Sequence, residues 1–338
     1  MKSKIKAIIL VSGGLDSTIV THMMKEQGLD LLCVHFSSPF CTCNSGCGNK
    51  NFAKETADKL DLKFKIQFMG EDFLKIVANP KHGYGKNMNP CIDCRIYKFK
   101  KAKEIMEKEG AKFIITGEVV GQRPMSQYKR VMRLIEKESD LEGLVLRPLT
   151  SGLLNPTLPE KNNWVDSKKL LSINGRSRKE QLKIAEKYNL SAEDYACPAG
   201  GCRLTYKEYS SKIQDLIKFK KGLSLRDVNY LSKGRHFRIS EKFKVIVGRN
   251  KEENEILNRM ANHGEVKLWA KDYNGPLCLG LGNFDDNVLE LMGKICGYYI
   301  KCEDSSPIGF IYDIDGKQNS FELVYNYEKY KEILTYRL

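Results

Sequence analysis

The chain has 338 residues, 41% of them hydrophobic, and a formal charge of +14 at pH 7. That length divides into two or three domains of ordinary size, and no stretch approaches the roughly eighteen apolar residues a membrane-spanning helix needs. The opening MKSKIKAIILVSGG runs straight into a glycine turn without a small-residue cleavage site, so a soluble cytosolic protein is expected, with no membrane partner. In a reducing compartment the eleven cysteines point to metal binding or sulfur chemistry rather than disulfides. The positive charge calls for a polyanionic partner, against the plainer reading of a solvated lysine-rich surface.

Ile8 to Val11 is a short β-branched run without alternation, which suits a central strand covered on both faces. Thr18, Ile19, Val20, Met23 and Met24 then follow helical spacing, with a stop expected at Gly28. Between strand and helix, Gly13 and Gly14 let backbone N–H groups converge at a helix N-terminus, which is an anion site. A Walker loop would place a lysine and a hydroxyl after its last glycine; here Leu15, Asp16 and Ser17 stand in those places. Phosphate is therefore expected on backbone amides, the helix dipole and the hydroxyls of Ser12, Ser17 and Thr18, with Asp16 positioning Mg²⁺. LDLLCVHF (29–36) reads as the second strand, and His35 and Phe36 near its carboxyl end lie where a nucleotide base would sit, Phe36 reading equally as a core aromatic.

PFCTCNSGCG (39–48) carries Cys41, Cys43 and Cys47, readable as a second metal site, a mobile sulfur relay or ordinary exposed thiols. Cys91 and Cys94 then stand just ahead of a helix marked by Ile96, Phe99, Ala102, Ile105 and Met106. At that spacing two thiols can reach one metal, or be lowered in pKa by the helix N-terminus and act as thiolates. Lys112 to Ile115 is another buried strand with Thr116, Gly117 and Glu118 at its end, followed by the polar loop residues Gln122, Arg123, Ser126 and Gln127. Arg123 suits charge on phosphate, with a surface salt bridge as the alternative. Leu144 to Leu146 is a last strand before a proline-rich connection, and 172–190 is a basic loop running into an amphipathic helix. Arg176, Arg178 and Lys179 near that helix start are disfavoured by the dipole, so they are expected to face an anion.

YACPAGGCRLT (195–205) adds Cys197 and Cys202. Three thiolates, Cys91, Cys94 and Cys202, would hold a [4Fe–4S] cluster with one open iron. Adding Cys197 would close a structural zinc tetrahedron. Alternatively, Cys91 or Cys94 and Cys202 form a persulfide carrier and its resolving partner with no metal. Cys33, Cys278, Cys296 and Cys302 sit in apolar settings and read as core residues.

Residues 210–251 hold twelve Lys or Arg against Asp215, Asp227 and Glu241, with Phe219, Tyr230, Phe237 and Phe243 interleaved, which suits phosphate contact together with base stacking. GRHFRIS, FKVIVGR, GEVKLWA, GPLCLGLG and YYIKC read as short strands, with a helix over 251–264.

Three motifs carry a family resemblance. SGGLDS (12–17) resembles the SGGxDS signature of the PP-loop ATP pyrophosphatases, which cleave ATP between its α and β phosphates and leave an adenylylated substrate. NMNPCIDCRIYKFKKA resembles the NPCxxCNxxIKF segment of tRNA 2-thiouridylases, with Arg95 in place of the usual Asn, and ITGEV aligns with their ATGHY segment. The last third is similar to the NFACT-R RNA-binding domain. The resemblance implies a doubly wound parallel α/β sheet of the adenine nucleotide alpha-hydrolase-like kind over 1–160, a helical segment carrying the third cysteine over 161–210, and a smaller basic α+β domain over 211–338. It implies ATP bound by Ser12, Gly13, Gly14, Leu15, Asp16 and Ser17 with His35, Phe36, Thr116, Gly117 and Arg123 nearby. It also implies sulfur handling by Cys91, Cys94 and Cys202, tRNA as partner, and free sulfide or a persulfide carrier as donor. The expected activity is replacement of a uridine carbonyl oxygen by sulfur at the 2 or 4 position. Another PP-loop ligase, a small-molecule thiolating enzyme and a non-catalytic RNA-binding factor are the alternatives, and the C-terminal domain has homodimerisation as its second use.

Overall fold

The apolar run ahead of the glycine turn becomes β1 (Lys6–Leu10), in which Ala7, Ile8 and Ile9 are fully buried because sheet neighbours and helices cover both faces. The computed structural model describes residues 4–42, 50–196 and 201–338; Cys43, Cys47 and Cys197 lie outside the described residues. The chain divides into two units, Met1–Tyr206 and Lys207–Leu338.

In the first unit β1 is followed by α1 (Leu15–Glu26), β2 (Asp30–Ser37), α2 (Phe52–Lys59), β3 (Lys63–Phe68), α3 (Glu71–Ala78), α4 (Cys91–Lys108), β4 (Ile114–Thr116), α5 (Lys129–Glu138), β5 (Val145–Leu146), α6 (Leu158–Lys161) and α7 (Lys179–Lys187). The strands form one parallel sheet in the order β3-β2-β1-β4-β5. Chain direction across the sheet reverses at β1, so the turn after it and the end of β4 border the crevice where such sheets bind ligands. Ile19, Val20 and Met24 of α1 join Ala7, Ile9, Phe113, Ile115 and Ala185 in one core. Helix α1 stops as expected, with Gly28 at φ +77° after the Gln27 cap. The edge strand β3 leaves Ile66 54% and Phe68 50% exposed, and its KFKIQF alternation is a strand signal beyond those read above.

The second unit runs α8 (Lys207–Phe219), α9 (Leu225–Leu231), β6 (Arg235–Ser240), β7 (Phe243–Val247), α10 (Lys251–Met260), β8 (Val266–Ala270), β9 (Cys278–Gly282), α11 (Asp286–Tyr298), β10 (Pro307–Ile314), β11 (Lys317–Val324) and α12 (Tyr327–Lys331). Its antiparallel sheet has the order β11-β10-β8-β9-β7-β6. The α+β class holds, but YYIKC is no strand: Tyr298 ends α11 and the chain then turns, while β10 and β11 supply the remaining strands.

Three of the four aromatics expected to stack on bases serve the core instead. Phe237 and Phe243 are fully buried and Tyr230 nearly so. Phe237 and Phe243 pack with Met292, Ile295 and Phe310, because alternate positions along a strand point to one face of its sheet. Only Phe219 keeps partial exposure, and it carries Lys218 and Arg238 over its ring. Part of the charge is spent internally as well. Buried Asp215 accepts from Arg238 Nε (2.8 Å), Arg238 Nη2 (2.6 Å) and Lys244 Nζ (2.8 Å). Cys278 and Cys296 are fully buried, as is Cys33 in the first unit, whereas Cys302 is half-buried.

Candidate functional site

Val11 leads β1 into the turn Ser12–Ser17. Gly13 takes φ +78°, and a Cβ there would lie 2.9 Å from Phe52 Cβ and 3.0 Å from Ala53 N, so only glycine lets α2 approach this closely. The Ser17 hydroxyl ties the turn together: it donates to Gly14 O at 2.9 Å and accepts from Ser12 N at 3.2 Å. Helix α1 starts at Gly14 with no side-chain cap, so its first-turn N–H groups are offered to an anion. Gly117, after Thr116 at the end of β4, is a second close approach: a Cβ there would come 2.8 Å from Ser17 N. Thr116 itself is buried and pairs with Leu10. His35 donates Nδ1–H to Val11 O at 2.9 Å, which fixes its ring beside the turn, and Phe36 is buried on the other face of β2.

Asp16 is the charged centre of this end. Its Oδ2 accepts from Gln122 Nε2 at 3.0 Å, whereas Oδ1 is buried with no hydrogen-bond partner among the described residues. Burial raises its pKa, opposed by the Gln122 bond, by Arg178 and Arg123, and by the Gln181 amide. An orphaned carboxylate oxygen beside an anion cradle fits Mg²⁺, a hard cation that takes oxygen ligands. Arg178, at the start of α7, acts electrostatically on Asp16 of the turn, while Arg176 and Lys179 are solvent-exposed. Gln181 was not singled out from the sequence. It is fully buried and both ends of its amide lack a well-formed partner, so it is a further polar group toward this end of the sheet.

The thiols come from three chain segments. Cys91 opens α4, which has Pro90 as its cap residue and no side-chain cap, and Cys94 N donates to Pro90 O at 2.8 Å. The turn holding Cys202 is pinned to the loop before α4: Met88 N donates to Leu204 O (3.1 Å) and Asn87 Nδ2 to Thr205 O (2.7 Å). Upstream, Ala196 N donates to Gly13 O at 2.7 Å, so the chain leading to Cys202 starts from the glycine turn itself. Cys202 lies in electrostatic reach of Cys94 and Cys41, and Cys91 of Cys94.

The lowered pKa expected for thiols at a helix start does not apply to Cys91. Burial, then Cys94, pushes it up against Arg95, Arg123 and Lys98, because desolvation of the charged form outweighs the helix end and the cations. Burial pushes Cys202 up to about 12. Among the described residues no three Cys, His, Asp or Glu side chains are arranged to hold a metal ion, so Cys91, Cys94 and Cys202 are neighbours without being a formed ligand set.

Arg95, the departure from the thiouridylase pattern, has a partner. Its Nε lies 3.1 Å from Glu118 Oε1, and Arg147 Nε lies 3.0 Å from Oε2. Burial would raise Glu118, yet Arg95 and Arg147 hold it below the usual carboxylate range. Glu118 therefore orients Arg95 rather than facing solvent. Asp93 has a structural task, accepting from Lys81 N (3.1 Å) and His82 N (3.0 Å) to fix the loop beside α4.

Arg123 connects the two halves of the site. Desolvation and Arg95 lower its pKa, while Asp16 and Cys91 raise it, so its charge acts on both the glycine turn and the first thiol.

Residues 2–153 match the family described as thiamine biosynthesis protein (ThiI), and residues 234–337 match the NFACT protein RNA binding domain. The chain is 31% identical over 128 residues to the tRNA-specific 2-thiouridylase MnmA of Petrotoga mobilis, covering 33% of this chain and 35% of that protein. It is 31% identical over 166 residues to MnmA of Clostridium acetobutylicum, covering 45% and 46%. The chain thus spans between about a third and a half of the length of these curated relatives. The U34-tRNA thiolase NcsA of Methanococcus maripaludis, solved with its [4Fe–4S] cluster, aligns over 68% of this chain and 71% of that one, at 18% identity and a TM-score of 0.34. The chain therefore joins a segment that matches the thiamine biosynthesis protein (ThiI) family model to one that matches the NFACT protein RNA binding domain.

Proposed function

We propose that the protein is an ATP-dependent tRNA sulfurtransferase, which adenylylates a uridine and replaces its carbonyl oxygen with sulfur. The observation that carries this reading is the 2.7 Å bond from Ala196 N to Gly13 O that ties the chain leading to Cys202 to the glycine turn, with Arg123 acting electrostatically on both Asp16 and Cys91. Nucleotide and sulfur chemistry then share one end of the sheet.

A carbonyl oxygen is a poor leaving group, so it must be activated before sulfur can displace it. The open amides at the start of α1 and the Ser12 and Ser17 hydroxyls bind the β and γ phosphates, and Arg123 and Arg178 meet the negative charge that develops as pyrophosphate leaves. Asp16 would hold Mg²⁺, which supplies charge neutralisation on the phosphates. The activated carbon now carries AMP, and sulfur presented from the Cys91, Cys94 and Cys202 group displaces it. Three thiols drawn from α4 and the Cys202 turn suit an iron–sulfur cluster in donor type; Cys91, Cys94 and Cys202 would hold it, and it would supply an open iron for a donated sulfide. In the metal-free form, one of these thiols carries the sulfur as a persulfide. Arg95, held by Glu118, keeps a fixed positive charge beside Cys91. In the second unit, exposed Lys218, Lys221 and Lys242 remain for RNA phosphates after Arg238 and Lys244 are engaged by Asp215. No helix of the described residues is long and apolar enough to cross a membrane.

The test supplies tRNA, ATP, Mg²⁺ and a sulfur source, either sulfide with reconstituted protein or a persulfide donor, and reads pyrophosphate release and thiolated nucleosides by mass spectrometry. Pyrophosphate and thiouridine appearing together support the reading. Pyrophosphate without thiolation would indicate another ligase, and neither product would indicate an RNA-binding factor.

A further inference from the structure

The loop after β2 meets the Cys202 turn edge to edge. Arg203 N donates to Phe40 O (2.8 Å) and Thr42 N to Gly201 O (3.1 Å). Thr42 Oγ1 adds a bond to Gly201 O and accepts one from Gly201 N, both at 2.7 Å. These flanking bonds make Cys41 and Cys202 an opposed antiparallel pair of the non-hydrogen-bonded kind. In such pairs the α-carbons stand about 4.5 Å apart and the side chains leave on the same face. That separation falls within the range of about 4.4–6.8 Å that a disulfide spans. The Cys41 sulfur is steadied 3.2 Å from Ser38 Oγ. Cys91 and Cys94 have no comparable register: both lie in the first turn of α4, and the bonds that pin the Cys202 turn there run from Asn87 and Met88.

We propose that Cys41 is the resolving thiol of Cys202, closing a reversible Cys41–Cys202 disulfide that releases the product sulfur during tRNA thiolation. This rests on the thiolation reading in its persulfide form. Cys202 carries one extra sulfur as a persulfide. The terminal sulfur bonds to the activated uridine carbon, the bond from that carbon to the AMP oxygen breaks, and the persulfide proton passes to solvent. The Cys41 thiolate, its own proton given to solvent, then attacks Cys202 Sγ. A Cys41–Cys202 bond forms, the bond from Cys202 Sγ to the transferred sulfur breaks, and the electron pair leaves on that sulfur, which becomes the thiocarbonyl as the ring nitrogen takes up a proton. A dithiol reductant returns two electrons and two protons and restores both thiols.

Full-length protein is equilibrated with oxidised and reduced dithiothreitol, alkylated, digested and mapped by mass spectrometry without reduction. A linked peptide pair joining Cys41 to Cys202 is expected to dominate; Cys202 joined instead to any other cysteine overturns the proposal. In the tRNA reaction with a persulfide donor and no dithiol, the parent stops after one turnover with that link formed. Cys41→Ser still releases pyrophosphate but retains tRNA on Cys202 as an adduct that added thiol frees. Turnover by Cys41→Ser equal to the parent overturns the proposal. A parent that forms the link yet never thiolates tRNA refutes the thiolation reading, while the mapped cross-link still upholds the disulfide pair.

Discussion

Gly13→Ala tests the nucleotide turn most directly. Two costs are separable in the structure. The positive φ of +78° costs an alanine about 1–2 kcal/mol. The added methyl would also stand 2.9 Å from Phe52 Cβ and 3.0 Å from Ala53 N, so α2 must move, and overpacking of this kind costs about 1–3 kcal/mol. Gly28→Ala is the internal control: its φ is +77° and nothing lies within 4 Å of the added atom, so it carries the backbone cost alone. For a unit of this size, each kcal/mol shifts the midpoint by about 2–4 °C. Thermal unfolding should then show Gly13→Ala lower by about 4–20 °C and Gly28→Ala by about 2–8 °C. Repeating the melts with ATP should show the parent and Gly28→Ala stabilised by nucleotide and Gly13→Ala little stabilised, since the turn's amides are displaced. If Gly13→Ala melts no lower than Gly28→Ala, the close approach of α2 does not constrain the turn and the reasoning fails.

Three further outcomes are expected. Arg147→Met leaves Glu118 and Glu136 without the buried guanidinium that both contact, at a cost of about 3–5 kcal/mol; a urea midpoint unchanged from the parent would contradict this, and adding Glu118→Leu should recover part of the loss. Asp16→Asn removes the carboxylate oxygen assigned to Mg²⁺ while keeping a partner for Gln122, so the melting point should hold while the Mg²⁺-dependent part of ATP binding, measured by calorimetry, disappears. Burial, with Arg249 and Lys244 nearby, lowers the Lys212 pKa to about 8 from an ordinary 10.5. Between those values the unfolded chain binds the extra proton, so stability gains from this group as pH rises through that window. Lys212→Met should therefore be more stable than the parent near neutral pH, with the difference shrinking toward pH 10; a pH-independent difference in denaturation midpoints would refute the assignment.

Much of the site follows from local chain chemistry. The strand, the two glycines and the helix start that build the nucleotide turn are contiguous, so backbone preferences alone place its amides and Ser17. The pairing of Cys91 with Cys94 at a helix start is likewise local. The interleaved cations and aromatics of 210–251 were misleading for a physical reason: Phe237, Phe243 and Tyr230 serve a sheet core that composition cannot distinguish from a stacking surface.

What the sequence by itself determined is the glycine turn, the parallel α/β order around it and the Cys91–Cys94 pair at a helix start, because each is written in a few neighbouring residues. Only tertiary structure decided which distant groups share the site. Cys41 faces Cys202 across 161 residues through flanking backbone bonds, Arg95 is held by Glu118 from the end of β4, and Arg123 acts electrostatically on both Asp16 and Cys91. Register and burial create these pairings, and neither has a signature in the residues taken one segment at a time.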